Sequence, residues 1–319
     1  MIEIEGLSKA FLRQSNNNNF GNFFKKNKER VIALDDISIE IEDKNIFGLI
    51  GPNGAGKTTL VKTLSTLILP DSGTARINGF DLIKEDKKIR ELIGVITGEY
   101  TRSLYWRLTG KQNLEFFAQL YNMDKKIMNE RLKFLFEILE LEEWENELVM
   151  RYSTGMKHKL ALARALMNDP PILFLDEPTT GIDPKSSYEI RKFVKEKLKD
   201  KTILWTSHYL PEIDEMCDRV AMINKGKIVI EGNPREIKRR FWEYEKIFVE
   251  ISEPKIELFS SLNNINYISR NSAEIKTRDL TETLQVIDRI VRENKLIVKD
   301  FKTVSPSLEE IFLKKMEES

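Results

Sequence analysis

The chain is short of the features that mark secreted, membrane-spanning or nucleic-acid-binding proteins. Cys217 is its one cysteine, so no internal disulfide can form and a reducing cytosolic setting is expected. Lys and Arg together number 51 and Asp and Glu number 51, which removes the bulk positive charge of a dedicated nucleic-acid binder and leaves room only for a local patch. No apolar run is long enough to span a bilayer, and the start lacks the charged-then-apolar pattern of a signal peptide. The chain is therefore expected to be soluble alone, with any membrane role needing a partner. No repeat of solenoid or propeller period is visible. What is abundant is charge: 32% of 319 residues are Asp, Glu, Lys or Arg, on a chain long enough to bury a sizeable core and hold more than one domain.

Hydrophobic spacing divides the chain. Residues 2–7 (IEIEGL) and 37–42 (ISIEIE) alternate as strands do. Between them QSNNNNFGNFFKKNKER is polar and then basic with three phenylalanines, which reads either as a surface loop or as a basic-aromatic arm resting on a membrane or partner. IFGLI (46–50), ILFLD (172–176) and TILWT (202–206) are short apolar runs of the kind found in strands covered on both faces. Helical spacing follows the first, in TTLVKTLSTLI, and joins the last two, in PKSSYEIRKFVKEKLKD. Such alternation predicts an α/β domain with a largely parallel sheet. Asn113 to about Leu148 reads as a helical insert in two runs, NLEFFAQLYNM and then KKIMNERLKFLFEILELEEW, and RVAMINKGKIVIEG (219–232) as a closing hairpin. Beyond about Arg240, strand-like and helical segments ending in SLEEIFLKKM predict a small α+β appendage, the SLEE having the spacing of a capping box.

The strongest motif is GPNGAGKTT, residues Gly51, Pro52, Asn53, Gly54, Ala55, Gly56, Lys57, Thr58 and Thr59. It fits G-x-x-x-x-G-K-[ST] between an apolar strand and a helix, as a phosphate-binding P-loop does. Glycines let the backbone turn its N–H groups inward on an anion, and the helix N-terminus adds partial positive charge. Lys57 can then reach the β- and γ-phosphates and Thr58 can ligate Mg2+. In ILFLDEP, Asp176 ends a buried strand where ligands bind such sheets, and is expected to hold the Mg2+ through water. Glu177 beside it can act as general base toward a water. These parts are common to several classes of nucleotide enzyme.

The rest of the order is more specific. RYSTGMKHKLALARAL (151–166) precedes the acidic pair, TTGIDP follows it, and TSH ends the next strand at His208. P-loop, signature segment, Asp-Glu strand, Asp-containing loop and histidine, in that order, resemble the ATP-binding subunit of ABC transporters over roughly residues 1–235. The resemblance implies an ABC ATPase domain over residues 1–238, with a mixed sheet core, an antiparallel β subdomain and a helical subdomain at about 100–165. A C-terminal accessory domain, resembling the extension of exporter-type subunits, would occupy 239–319. It further implies a head-to-tail homodimer with two ATPs at the interface, where Ser153 and the Gly155 amide meet the γ-phosphate bound by the other chain. Taken by itself, Ser153 is a helix cap, and Asp183 before Pro184 likewise has the form of a helix N-cap. The resemblance makes Asp183 an interface-loop residue and His208 the γ-phosphate switch.

Three departures from the family stand out. Thr154 and Met156 replace the first glycine and the glutamine of the Leu-Ser-Gly-Gly-Gln signature, a form similar to that of drug and polysaccharide exporters. The loop IGVITGEYTRSLYWRLTG lacks the family's sensing glutamine, leaving Gly98 or Glu99 near its place. The adenine-stacking aromatic is best matched by Phe11, with Phe20, Phe23 and Phe24 as rivals and a core role as the plainer alternative. Tyr105, Trp106 and Arg107 occupy the stretch where the family receives the permease's cytoplasmic helices, although Trp106 can equally pack into the helical insert. The expectation is an ATP-hydrolysing, Mg2+-dependent transporter subunit, of the exporter kind, peripheral on the cytoplasmic face of the membrane beneath a separate integral-membrane permease. An ABC ATPase acting on nucleic acid or in translation is the alternative; it would call for long coiled-coil insertions or tandem cassettes, and neither is visible.

Overall fold

The computed structural model describes residues 1–14, 28–98, 104–241, 244–304 and 307–318. They form two compact units, Met1–Asn233 and Pro234–Ser319. In the first, the strands are β1 (Ile2–Gln14), β2 (Lys28–Ile41), β3 (Ile46–Ile50), β4 (Ser72–Ile77), β5 (Phe80–Asp81), β6 (Ile93–Ile96), β7 (Ile172–Asp176), β8 (Thr202–Ser207), β9 (Arg219–Asn224) and β10 (Lys227–Gly232). The helices are α1 (Lys57–Leu64), α2 (Asp86–Leu92), α3 (Gly110–Leu120), α4 (Lys125–Ile138), α5 (Thr154–Ala165), α6 (Pro184–Lys197) and α7 (Leu210–Met216).

Two sheets build this unit. The first, ordered β2-β1-β4-β5, is antiparallel. The second is ordered β10-β9-β3-β8-β7-β6, parallel except for the β9–β10 hairpin at its edge. Every residue of β7 and β8 is buried, as a strand covered on both faces requires. Its neighbours carry the register that builds the site: Ile50 pairs with Ser207 and Asp176 with Thr206. The residues that follow β3, β7 and β8 thus emerge side by side at one sheet edge.

Two expectations change. The hairpin of β1 and β2 runs well past the alternating segments, because at its outer part neither face is covered and the burial pattern that reveals a strand is lost: Phe11, Leu12, Val31 and Ile32 are all exposed. The helical insert divides between its two runs as their spacing predicts, but its second run ends earlier than expected. It breaks after Leu120, where Asn122 adopts a positive φ and Asp124 caps α4, and beyond Ile138 only short 3-10 turns remain up to Arg151.

The second unit has α8 (Pro234–Arg240), β11 (Glu245–Ile251), β12 (Ile265–Tyr267), β13 (Ser272–Thr277), α9 (Leu280–Glu293), β14 (Val298–Val304) and α10 (Leu308–Glu318). Its antiparallel sheet is ordered β12-β13-β11-β14. Ile247, Val249, Ile251, Ala273 and Ile275 pack from one face against Ile287 and Ile290 of α9, so Lys246, Phe248, Glu274 and Lys276 stand on the other. This is the α+β fold expected of the appendage.

Candidate nucleotide site

The glycines of the P-loop have separate reasons to be there. A Cβ on Gly51 would lie 2.3 Å from the Ile223 carbonyl oxygen, and one on Gly56, at φ +119, would lie 2.4 Å from that of Ala33. Close backbone approach therefore excludes any side chain at either position. Gly54, at φ +81, meets nothing within 4 Å, which leaves its side of the loop open. The loop runs into the N-terminus of α1, where Lys57 is buried with its Nζ donating to the carbonyls of Gly51 (2.7 Å) and Pro52 (3.2 Å).

Facing the loop, Asp176 is fully buried and accepts from two hydroxyls, Thr58 Oγ1 at 2.8 Å and Thr206 Oγ1 at 2.6 Å. Glu177 takes a positive φ of 51°, a strained backbone of the kind that collects at functional sites. Its N–H donates to the carbonyl of Thr206 (3.1 Å) and to that residue's hydroxyl oxygen (3.0 Å), which hold the turn. Its carboxylate lies 3.3 Å from Lys57 Nζ, 3.2 Å from His208 Nδ1 and 3.2 Å from the Thr180 hydroxyl. Burial works to raise its pKa, but the Lys57 ammonium and then His208 outweigh it and hold the carboxyl below its ordinary value.

The signature segment lies elsewhere on the same unit. Ser153 is exposed and caps α5, accepting from the Met156 N–H at 3.2 Å. Leu160, Ala163 and Met167 are buried beneath it. Gly155 packs against the start of α6: a Cβ there would fall 2.3 Å from Ser186 Oγ. Asp183 caps α6 through Ser186 N–H (3.0 Å), and its bonds to Ser186 lower its carboxyl pKa. The structure thus gathers Gly51–Thr59, Asp176, Glu177 and His208 at one edge, and Ser153, Gly155 and Asp183 around the starts of α5 and α6.

Phe11 is 41% exposed, which removes the core alternative; Lys9 Nζ lies 5.7 Å from its ring centre. Phe20, Phe23, Phe24 and Glu99 lie outside the described residues. Gly98 stands beside the acidic strand, where a Cβ would be 3.8 Å from Asp176 Oδ2. Trp106 is 50% exposed rather than packed away, with Lys157 Nζ 5.3 Å over its ring. Tyr105 and Arg107 are exposed beside it, and buried Asn113 fixes this stretch, exchanging two bonds with the Tyr105 backbone (2.8 and 3.0 Å) and donating to the Thr109 carbonyl.

These observations meet the expected family, and comparison with known proteins decides it. A family model for ABC transporter matches residues 34–180, and one for the ATP-binding protein DrrA1-3-like C-terminal domain matches residues 232–316. The ABC transporter ATP-binding protein NatA of Bacillus subtilis is 39% identical over 210 residues, covering 66% of this chain and 85% of that protein. The daunorubicin resistance ATP-binding protein DrrA3 of Streptomyces coeruleorubidus is 33% identical over 287 residues, covering 88% of this chain and 90% of that protein.

This chain belongs to the ATP-binding proteins of ABC transporters.

A solved ATP-binding subunit of an ABC transporter shares the fold at TM-score 0.61 and 27% identity, covering 76% of this chain and 93% of that one. As an ABC ATP-binding protein the chain is an ATPase whose hydrolysis powers transport. Among its described residues no helix is long and apolar enough to cross a membrane.

Residues that sequence reading passed over also support this ATPase site. Thr206 joins Asp176 to the backbone of Glu177, and its only sequence signal is its place before Ser207 and His208. Glu212, only 2% exposed, accepts from Thr179 Oγ1 at 2.6 Å and from Trp205 Nε1 at 3.4 Å, with Arg191 at 3.7 Å. It ties the turn after Glu177 to β8, α6 and α7, although in the sequence it reads as one more helical glutamate. Thr206→Val keeps the shape of the side chain but leaves Asp176 Oδ1 and the Glu177 N–H without that hydroxyl. It is expected to destabilise the first unit by about 1–3 kcal/mol and to slow ATP turnover, measured by urea unfolding and phosphate release.

Proposed function

We propose that this ATPase works as a head-to-tail homodimer, each ATP lying between the P-loop of one copy and the Ser153 end of α5 in the other. The carrying observation is Glu177, held between Lys57 and His208 at one sheet edge. In this reading the Gly51–Thr59 amides and Lys57 bind the triphosphate and Phe11 stacks on adenine. Glu177 takes the proton of the attacking water, and His208 orients the γ-phosphate. Ser153 and the Gly155 amide complete the site from the other copy, with Asp183 at the interface between them. Thr58 and Asp176 present hard oxygens 2.8 Å apart, a donor set that suits Mg2+. Bound there, Mg2+ would neutralise charge on the β- and γ-phosphate oxygens.

Support for the transport partner comes from the half-exposed rings of Tyr105 and Trp106, which Asn113 holds in place. An exposed aromatic stretch on a fixed loop suits a docking groove. We propose that it receives cytoplasmic segments of a separate integral-membrane permease, placing the chain on the inner face of the cell membrane. The daunorubicin-resistance relative and the exporter-like signature support export as the direction. Nucleic acid is not a partner in this reading. Tagged protein purified from detergent-solubilised native membranes should carry a multispanning protein with it, and Trp106→Glu should release that protein. Purification without any such partner would remove the docking role.

A further inference from the structure

The sheet of the second unit has two edges, and they are built differently. β12 at one edge has three residues, the short form by which proteins discourage further pairing. β14 at the other has seven, and its backbone N–H and C=O groups on the side away from β11 form an open row. Among the described residues no other strand pairs with that row. Val298 and Phe301 of β14 are 36% and 40% exposed, and Ile297 just before them is 68% exposed. Lys299, Lys302 and Thr303 are exposed as well.

The order of charges along β14 selects an occupant. Phe301 stands opposite Val249, on the face toward α9, while Asp300 and Lys302 stand opposite Glu250 and Phe248 on the other. Asp300 and Lys302 bind each other at 2.6 Å. Across its own sheet, however, Asp300 meets the like charge of Glu250, so β11 gives no reason for an acid there. A strand that pairs with its own copy about a two-fold axis runs antiparallel to it, and opposed residues share a face. The axis must therefore pass a residue that meets itself. Centring on Lys299 or Lys302 sets lysine against lysine, and centring on Asp300 sets aspartate against aspartate. Centring on Phe301 places ring beside ring and sets Asp300 of each copy opposite Lys302 of the other. Of these four registers it alone joins opposite charges.

We propose that β14 pairs with β14 of a second copy of this chain, joining two four-stranded sheets into one of eight strands. Main-chain hydrogen bonds between the two edges supply the attraction, and Phe301 and Val298 lose apolar surface to the contact. Seven residues a side bury less than the about 1,200 Å² at which standard interfaces begin, so the pair forms only at high protein concentration. It needs no nucleotide and uses no residue of the ATPase site. It therefore stands apart from the ATP-bound pair proposed above.

The test follows the full chain by sedimentation over a rising concentration series in nucleotide-free, low-salt buffer. The wild type is expected to pass reversibly from monomer to dimer. Asp300→Lys and Lys302→Asp each set like charges at both cross-strand positions, and each alone should associate about tenfold or more weakly. Mixed in equal amounts, the two variants again oppose lysine and aspartate at both positions, so a mixed dimer should form as readily as the wild-type one. The chain carrying both substitutions should likewise dimerise, a recovery that misfolding cannot produce. In dilute solution the melting midpoint of the Asp300→Lys chain should not fall, because Glu250 then faces an opposite charge. Ser153→Arg should leave this association intact while removing the ATP-driven one, which keeps the two readings distinguishable. A wild type that stays monomeric throughout, single variants that associate as the wild type does, or a mixture without recovery would each overturn the proposal.

Discussion

Glu177→Gln is expected to lower ATP turnover by about 10²–10⁴-fold, the usual contribution of general base catalysis, while ATP binding survives. The substitution keeps the size of the side chain and an oxygen that can accept from the Thr180 hydroxyl, but removes the negative charge between Lys57 and His208. A glutamine cannot accept the proton of an attacking water. Binding is retained because the P-loop amides, Lys57, Thr58 and Asp176 are all untouched. With hydrolysis blocked, the ATP-bound chain should accumulate as a dimer, seen as a shift in sedimentation on adding ATP. Wild-type turnover would remove Glu177 as the base, and a monomer at saturating ATP would remove the head-to-tail pair. The wild-type carboxyl also carries a pH signature. Its pKa is depressed in the folded chain, so its stabilising effect is present above the ordinary glutamate value and is lost as pH falls through the lowered one.

Ser153→Arg separates nucleotide binding from closure. Ser153 is exposed at the N-terminus of α5, away from the P-loop strands, so an arginine there has room and the affinity of a single chain for ATP should be unchanged. Losing the cap to the Met156 N–H should cost stability of about 0.5–2 kcal/mol, which a melting curve detects. In the paired state the long cation would occupy the place of the γ-phosphate's contact with the other copy. Hydrolysis and ATP-driven dimerisation should both fall to background. Turnover near wild type would reduce Ser153 to a helix cap and nothing more.

The layout of the candidate site was legible in the sequence where the proposed chemistry and local structure depend on the same residues. The P-loop glycines, the buried run ending at Asp176 and the TSH at the end of β8 each need a particular residue type at a fixed distance from an apolar strand. What spacing could not supply was the lateral order β3-β8-β7, since neighbouring strands here are remote in the chain. Thr206 and Glu212 were illegible for the same reason: a threonine in a strand and a glutamate in a helix are ordinary until the fold brings Asp176, Thr179 and Arg191 to them. The far end of the β1–β2 hairpin escaped because periodicity reports burial, and exposed segments have little of it. The edge position of β14 was hidden too, since strand order is a tertiary fact.

Gly155 carries a mechanical implication. With no side chain to hold them apart, the start of α5 and the start of α6 touch, so the caps Ser153 and Asp183 ride on one stiff piece. Asp183 in turn lies a short turn downstream of Glu177. In the proposed pair, a push on Ser153 from one ATP is therefore delivered through this yoke toward the catalytic glutamate that serves the other. The two sites would keep time with each other, and a side chain at position 155 would act as a loosened joint: each site still able to load, but no longer firing in step.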